Sequence, residues 1–198
     1  MKLVLATQNP KKLKEMNEIL RHLGVEVVSE AELGVRIEVE ETGETFTDNA
    51  RLKAAAVMRA TGLPAVADDS GLCVDALNGG PGVYSARFGG EGLDDKGRYT
   101  LLLEMLRGQT DRAAHFHTSI VCAFPNGDEL VCEGECPGTI AFAPMGEGGF
   151  GYDPVFFVPE LRKTFGQLTA EEKASVSHRG KALRAFAAAL DDYLKGNK

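Results

Sequence analysis

Two acidic pairs, Glu40-Glu41 and Asp68-Asp69, are the residues whose type and setting point first to chemistry. Each falls where a predicted strand gives way to a loop, the first just before Thr42-Gly43 and the second just before Ser70-Gly71. Adjacent like charges are unfavourable unless a cation or a lysine offsets them. Carboxylates at two strand ends can hold a hard cation through oxygen ligands, which suits Mg²⁺. Either pair alone reads equally well as a solvated strand end. In Thr7-Gln8-Asn9-Pro10-Lys11-Lys12, small polar side chains and free backbone N–H groups meet a predicted helix start, a setting that favours an anion such as phosphate. Lys12 adds a compact positive charge. No G-x-x-x-x-G-K-[ST] pattern occurs, so this is not a P-loop, and by itself a solvated, capped turn is the plainer reading. Lys53, beside Ala54, Ala55 and Ala56, reads alone as a solvated helix lysine.

A second set of residues suits a planar ring. Gly148-Gly149-Phe150-Gly151-Tyr152-Asp153 sets an aromatic side chain among glycines, where it can lie flat against a base. Such stacking contributes about 1–3 kcal/mol. A core phenylalanine in a tight turn is an equally good explanation. Lys173 and the run Ser177-His178-Arg179-Gly180 stand near the start of the last predicted helix. Arg179 offers a rigid donor fork for a purine carbonyl, while His178 is as well explained as a cap or a surface histidine.

These residues must be positioned by the elements around them. Lys2 to Ala6 is a short apolar strand, followed by a helix with Leu13, Met16, Ile19, Leu20 and Leu23 on one face and Gly24 as its stop. Val25 to Ser29 and Arg36 to Val39 read as strands. Thr45 or Thr47 caps a second helix running to Thr61, with Gly62 just beyond it. Ala65 to Ala67 is a short strand delivering Asp68-Asp69-Ser70-Gly71, and Gly79 to Gly92 reads as a long loop. Asp94 begins a third helix. His115 to Phe124 and Glu129 to Cys136 flank Pro-Asn-Gly-Asp, a hairpin signal. The glycine loop Gly146 to Gly151 leads into a strand over Val155 to Val158. Thr169-x-x-Glu172 is a capping box, and a last helix from about His178 to Leu194 buries Leu183, Phe186, Ala187, Leu190 and Leu194. The pattern predicts one α/β domain over residues 1–198, a mixed sheet flanked by helices and folded into two lobes around a cleft.

Composition sets the outer bounds. The 198 residues are 43% apolar and 26% charged, ordinary for a globular chain with a sizeable core. A net charge of −7 argues against coating nucleic acid, which needs a basic face, but not against a small phosphate ligand. No stretch approaches the roughly 20 apolar residues of a membrane span, and no signal peptide is predicted. Cys73, Cys122, Cys132 and Cys136 form no C-x-x-C pair, so they read as small buried hydrophobes rather than zinc ligands or a disulfide.

The combination Ala6-Thr7-x-Asn9-x-x-Lys12, Glu40-Glu41-Thr42-Gly43-x-Thr45-Phe46, Ala67-Asp68-Asp69-Ser70-Gly71-Leu72, Pro81-Gly82-Val83-Tyr84-Ser85-Ala86-Arg87, Phe150-Gly151-Tyr152-Asp153-Pro154 and Ser177-His178-Arg179-Gly180 resembles the inosine/xanthosine triphosphate pyrophosphatase family. The order and spacing hold from residue 2 to about residue 190. The resemblance implies a cytoplasmic, homodimeric, Mg²⁺-dependent enzyme that converts ITP, dITP and XTP to the monophosphate and pyrophosphate. It implies a nucleotide-binding cleft between the lobes, with Asp69 as the catalytic carboxylate and, as the metal site, Asp69 completed by Glu40 or Glu41. Thr7, Gln8, Asn9, Pro10, Lys11, Lys12, Lys53, Asp68 and Ser70 would meet the triphosphate, and Phe150, Gly151, Tyr152, Asp153, Lys173, His178 and Arg179 the base. One departure stands out: the family's first loop usually has glycine where this chain has Gln8, and often again at Lys11, so backbone freedom is lost there. Two rival readings stay open, a related pyrophosphatase acting on pyrimidine or modified nucleotides, and a nucleotide-binding sensor without turnover.

Overall fold

The structure, a computed structural model, describes all residues except Gln8, Glu91, Asn197 and Lys198, and except the side chain of Lys11. Twelve named elements carry the argument: β1 (Lys2–Leu5), α1 (Pro10–Leu20), β2 (Glu26–Ser29), α2 (Phe46–Thr61), β3 (Ala65–Val74), α3 (Asp95–Met105), β4 (Ala113–Ala123), β5 (Glu129–Ile140), β6 (Phe156–Val158), β7 (Lys163–Thr164), α4 (Ala170–Val176) and α5 (His178–Gly196). The strands form a seven-stranded sheet in the order β2-β1-β3-β4-β5-β6-β7. It is mixed, as expected: β1 runs parallel to β2 and β3, whereas β6 runs antiparallel to β5 and β7.

The chain divides into two compact units, and β3, β4, β5 and α5 each pass from one to the other. The first comprises residues 1–69, 118–134 and 181–198. Its central strands are buried on both faces, which is why they read as continuous apolar runs. Leu3 and Leu5 of β1 face Met16 and Leu20 of α1 and Phe186 and Leu190 of α5. Val4, between them, turns the other way to Val57 of α2. The second unit comprises residues 70–117 and 135–180. Its core gathers Leu72 and Val74 of β3, Leu102 of α3, Phe116 of β4, Ile140 of β5, Phe156 of β6 and Phe165. Each such side chain, fully buried, contributes about 1.5–3 kcal/mol.

Local chemistry explains most element ends. Thr45, not Thr47, caps α2, its hydroxyl accepting from the Asp48 amide at 3.1 Å, and Gly62 closes the helix at φ 67°. The hairpin turn forms as predicted, with the Phe124 amide donating to the Asp128 carbonyl at 3.0 Å. Both flanking strands run longer than their apolar pattern suggests, β5 reaching Ile140. The Thr169/Glu172 capping box is present at the start of α4.

Two expectations need correction. The strand predicted at Arg36 to Val39 does not form. Its Ile37 amide donates at 3.0 Å to the Glu30 carboxylate, so a side chain satisfies a bond that a neighbouring strand would otherwise make. The strand predicted to end at Ala67 instead continues through the acidic pair to Val74. Leu72 and Val74 bury their side chains in the second core, which sustains the extended backbone across the polar stretch. Within the loop predicted from Gly79 to Gly92, Gly82–Arg87 winds into 3₁₀ turns.

Candidate active site

Because β3 continues, its alternation sends consecutive aspartates to opposite faces. Asp68 follows Val66 toward α1, and its carboxylate accepts from Lys12 at 2.8 Å. Asp68 is only 5% exposed, so this ion pair fixes both partners. Asp69 follows Ala67 toward α2, where Asn49 and Lys53 project from one helix face because they stand four residues apart. Lys53 donates to Asp69 at 3.2 Å and to Glu41 at 2.8 Å. Asn49, with no exposed surface, donates to the second Asp69 oxygen at 3.3 Å and accepts from the Gly43 amide at 2.8 Å. One helix face therefore ties the Glu41–Gly43 segment to the middle of β3.

The electrostatics follow from this packing. Burial pushes the Asp69 carboxyl above the usual range; Glu41 adds to the rise, while Lys53 and Asn49 oppose it. Burial pulls the Lys53 ammonium down, but Asp69, Glu41 and Asp68 together outweigh it and leave the pKa above the ordinary lysine value. Asp69 is thus a stronger base than a solvated aspartate, held in place by two donors. Glu40, by contrast, is exposed. Among the described residues no group of three or more His, Cys, Asp or Glu side chains is arranged to hold a metal alone. Magnesium does not ask for that: it is commonly held by one or two carboxylates together with substrate phosphates and water. Glu41 and Asp69, sharing one lysine, fit that donor chemistry.

Pro10 opens α1, where its missing N–H costs nothing and its fixed φ suits the first helical turn. The Asn9 amide donates to the Thr7 hydroxyl at 3.2 Å. A cavity of about 360 Å³ lies beside Thr7, Asn9 and Pro10, with Ser29, Glu30 and Arg36 on its lining. Gln8 and the Lys11 side chain, both expected at phosphate, lie outside the described residues.

In the second unit Phe150, Asp153 and Lys173 come together. Phe150 is 75% exposed, and the Lys173 ammonium lies 4.7 Å from its ring centre and 5.2 Å from that of Phe165. Lys173 is also ion-paired with Asp153, whose carboxylate accepts from the Phe150 amide at 2.8 Å. Burial pushes the Asp153 carboxyl up, and Lys173 opposes that rise. Gly149 is fixed by both conformation and space: its φ is 82°, and a Cβ there would lie 1.9 Å from the Asp153 carboxylate. His178 stacks on Phe116, ring centres 4.6 Å apart and planes 11° from parallel. The cap before α5 is Ser177, whose hydroxyl accepts from the Gly180 amide at 3.1 Å. Gly180 lets the backbone of α4 approach, since a Cβ would meet the Ala174 carbonyl at 2.0 Å. The S-H-R-G run is therefore the seam at which His178 and Arg179 are set.

Ser70 is exposed at the first residue of the second unit. Tyr152, expected beside the base, belongs to the core: it is 4% exposed and its hydroxyl donates to the Ser85 carbonyl at 2.8 Å. Gly151 takes part through its amide, which donates to Asp95 at 2.7 Å. Sequence reasoning missed Asn49, Phe116 and Asp95. The four-residue spacing from Asn49 to Lys53 was the available signal for the first; the others are joined to the site only by long-range contacts.

Known proteins resemble this chain over almost its whole length. The chain is 50% identical over 196 residues to a dITP/XTP pyrophosphatase of Exiguobacterium sp., covering 99% of this chain and all of the relative. It is 53% identical over 194 residues to a dITP/XTP pyrophosphatase of Thermus thermophilus, covering 97% and 93%. The solved structure of a HAM1 protein from Coxiella burnetii superposes with a TM-score of 0.93 at 43% identity, covering 97% and 99%. A model of the Ham1 family matches residues 3–189, and with nearly the whole chain accounted for at this level of identity, the chain belongs to that family.

Proposed function

We propose that this chain is a nucleoside-triphosphate pyrophosphatase that converts dITP, ITP and XTP to the monophosphate and pyrophosphate, clearing deaminated purines from the nucleotide pool. The observation that carries the reading is the set Glu41, Lys53, Asp69 and Asn49, in a chain matched almost end to end by proteins named dITP/XTP pyrophosphatase. No helix among the described residues is long and apolar enough to cross a membrane. A cytoplasmic homodimer working without nucleic acid is the setting we infer.

In the reaction a water oxygen bonds to the α-phosphorus, and the bond from that phosphorus to the bridging oxygen of the β-phosphate breaks. Negative charge grows on the departing pyrophosphate, so positioning and electrostatics supply most of the catalysis. Asp69 orients the water and takes its proton, its carboxylate held in place by Lys53 and Asn49. Asp68 is already committed to Lys12, so it positions that lysine rather than acting as the base. Lys12 and Lys53 offset phosphate charge, and Thr7, Asn9 and Ser70 hydrogen-bond the triphosphate alongside Gln8 and Lys11, with Pro10 opening the helix beside them. Glu41 and Asp69, with Glu40 on the solvent side, would hold Mg²⁺, which when bound neutralises phosphate charge and orients the chain of phosphates.

The base is assigned to Phe150, stacked on its free face, with Asp153, Lys173, His178 and Arg179 around the edge. Donors aimed at the six-position carbonyl accept hypoxanthine and xanthine and oppose adenine, whose amino group is itself a donor. A polar mismatch of this kind can exceed roughly a hundredfold. The test is pyrophosphate release by the purified protein with Mg²⁺ from dITP, XTP, GTP, dUTP and ATP. Preference for dITP and XTP is expected; equal rates on GTP, or preference for dUTP, would overturn the assignment.

A further inference from the structure

We propose that Asp95, at the first turn of α3, is a positioning residue that sets the exposed ring of Phe150 for base recognition. The inference rests on the reading of Phe150 as the base platform. Asp94 and Asp95 adjoin at the helix start but are used differently. Asp94 is the cap, its carboxylate accepting from the Gly97 amide at 2.7 Å. Asp95 is thereby released from capping. One of its oxygens meets Arg98 at 3.3 Å, and the other accepts from the Gly151 amide at 2.7 Å, across 56 residues of sequence. The neighbouring Phe150 amide ends on the Asp153 carboxylate at 2.8 Å. Two consecutive amides are thus each held by a carboxylate, one on either side of the aromatic residue.

The turn needs such fixing. Gly149 and Gly151 both have positive φ, 82° and 59°, and glycine on each side leaves the intervening backbone free to rearrange. The Phe150 ring is mostly exposed, so packing restrains it little beyond the Lys173 ammonium. Its direction is therefore set through the backbone, and a ring fixed in advance spares a ligand the entropy of ordering it. Asp153 belongs to the same turn, its own amide donating to the Phe150 carbonyl at 3.1 Å, so its bond to the Phe150 amide is a local one. Asp95 is anchored in a different element, the N-terminus of an 11-residue helix, and holds the turn after Phe150 in sequence, as the Gly148 amide's bond to the Gly166 carbonyl holds it before.

The test is steady-state kinetics with ITP on the wild type, Asp95→Ala, Asp95→Asn, Phe150→Ala and the Asp95→Ala/Phe150→Ala double variant, with thermal melts alongside. Asp95→Ala is expected to raise KM about tenfold, the equivalent of one charge-assisted hydrogen bond, with kcat within about twofold of wild type. Asp95→Asn keeps an acceptor oxygen for the Gly151 amide while losing the charge opposite Arg98, so KM is expected to return to within about threefold of wild type. In the Phe150→Ala background, Asp95→Ala should add no further rise, because its effect runs through that ring. A merely structural role would lower the melting temperature of both Asp95 variants and leave KM unchanged; that result, or full additivity in the double variant, overturns the proposal. If Phe150→Ala itself leaves KM for ITP unchanged, the base-platform reading fails and takes this proposal with it. A raised KM in Phe150→Ala beside an inert Asp95→Ala refutes the role of Asp95 alone.

Discussion

Asn49→Ala separates holding the site together from holding the fold together. In the native protein the Asn49 side chain accepts from the Gly43 amide at 2.8 Å and donates to Asp69 at 3.3 Å, without exposed surface. Alanine removes both bonds and leaves the Gly43 amide without this acceptor, a loss of about 1–3 kcal/mol. In a chain of this size about 2 kcal/mol corresponds to a fall in melting temperature of roughly 4–8 °C. The effect on catalysis is separate. Asp69 keeps Lys53 but loses the donor that fixes its second oxygen, and the Glu41–Gly43 segment loses its tie to α2. Removing an outer hydrogen-bond partner of this kind costs about 10–100-fold in activity. Asn49→Asp is the control: it retains an acceptor for Gly43 but sets a buried carboxylate against Asp69, so it should recover neither the stability nor the rate. Initial rates of pyrophosphate release from dITP, measured well below each variant's melting temperature, read the second effect independently of the first. A lower melting temperature with unchanged kcat/KM would refute Asn49 as a positioning residue and leave it as a core hydrogen bond.

Asp69→Asn is expected to abolish turnover while the melting curve stays cooperative; retention of more than about a tenth of the wild-type rate, roughly 1.4 kcal/mol in barrier, would remove Asp69 from the role of base. Lys12→Ala should lower kcat/KM for ITP, XTP and GTP alike, so the ITP/GTP ratio holds; a collapse of that ratio would place the lysine at the base instead. Arg179→Ala should narrow the ITP/ATP ratio of kcat/KM by about one to two decades, as expected for losing a charged hydrogen bond, and an unchanged ratio beside an earlier melt would make Arg179 a structural partner at the α4–α5 seam. Removing divalent cations with EDTA should eliminate turnover and weaken pyrophosphate binding by at least about tenfold, read by titration calorimetry with and without Mg²⁺; binding that is indifferent to the metal would refute the Glu41/Asp69 assignment.

What the sequence made legible, and what it concealed, follows from how far each signal reaches. α2 could be read nearly to the residue because a hydroxyl three residues before Asp48 and a glycine after Thr61 are local signals. The hairpin was legible for the same reason, since Pro-Asn-Gly-Asp specifies its own turn. β3 misled because the stretch Asp68-Asp69-Ser70-Gly71 looks like a loop; the strand is sustained by Leu72 and Val74, whose burial depends on a core assembled from distant segments. Arg36 to Val39 carries strand-like alternation, yet a Glu30 carboxylate takes its Ile37 amide. Tyr152, grouped with the base by its place beside Phe150 and Asp153, instead anchors that segment to the core through Ser85. The acidic pairs and lysines can be singled out from residue type alone, but their partners cannot. That Lys12 answers Asp68 while Lys53 answers Asp69 depends on the extended backbone between the two acids.

That division also bears on the metal proposed for the reaction. Around the first unit's site stand three carboxylates, Asp68, Asp69 and Glu41, against two ammonium groups, Lys12 and Lys53. Among the described residues both lysines are therefore already matched by carboxylates. A triphosphate brought to these lysines alone would compete with Asp68 for Lys12 and with both Glu41 and Asp69 for Lys53. The cost is uneven. Asp68 is almost wholly buried, so freeing Lys12 from it would strand a charge in a poorly solvated place. Lys53 divides one charge between two partly exposed acids, and oxygen donors of that kind can be satisfied by a hard cation arriving with the substrate. Lys53 would then be free to turn from its own carboxylates toward phosphate, while Lys12 keeps its place on α1. On this argument the two lysines are not equivalent: Lys12 is a fixed charge, and Lys53 is one whose availability depends on the metal.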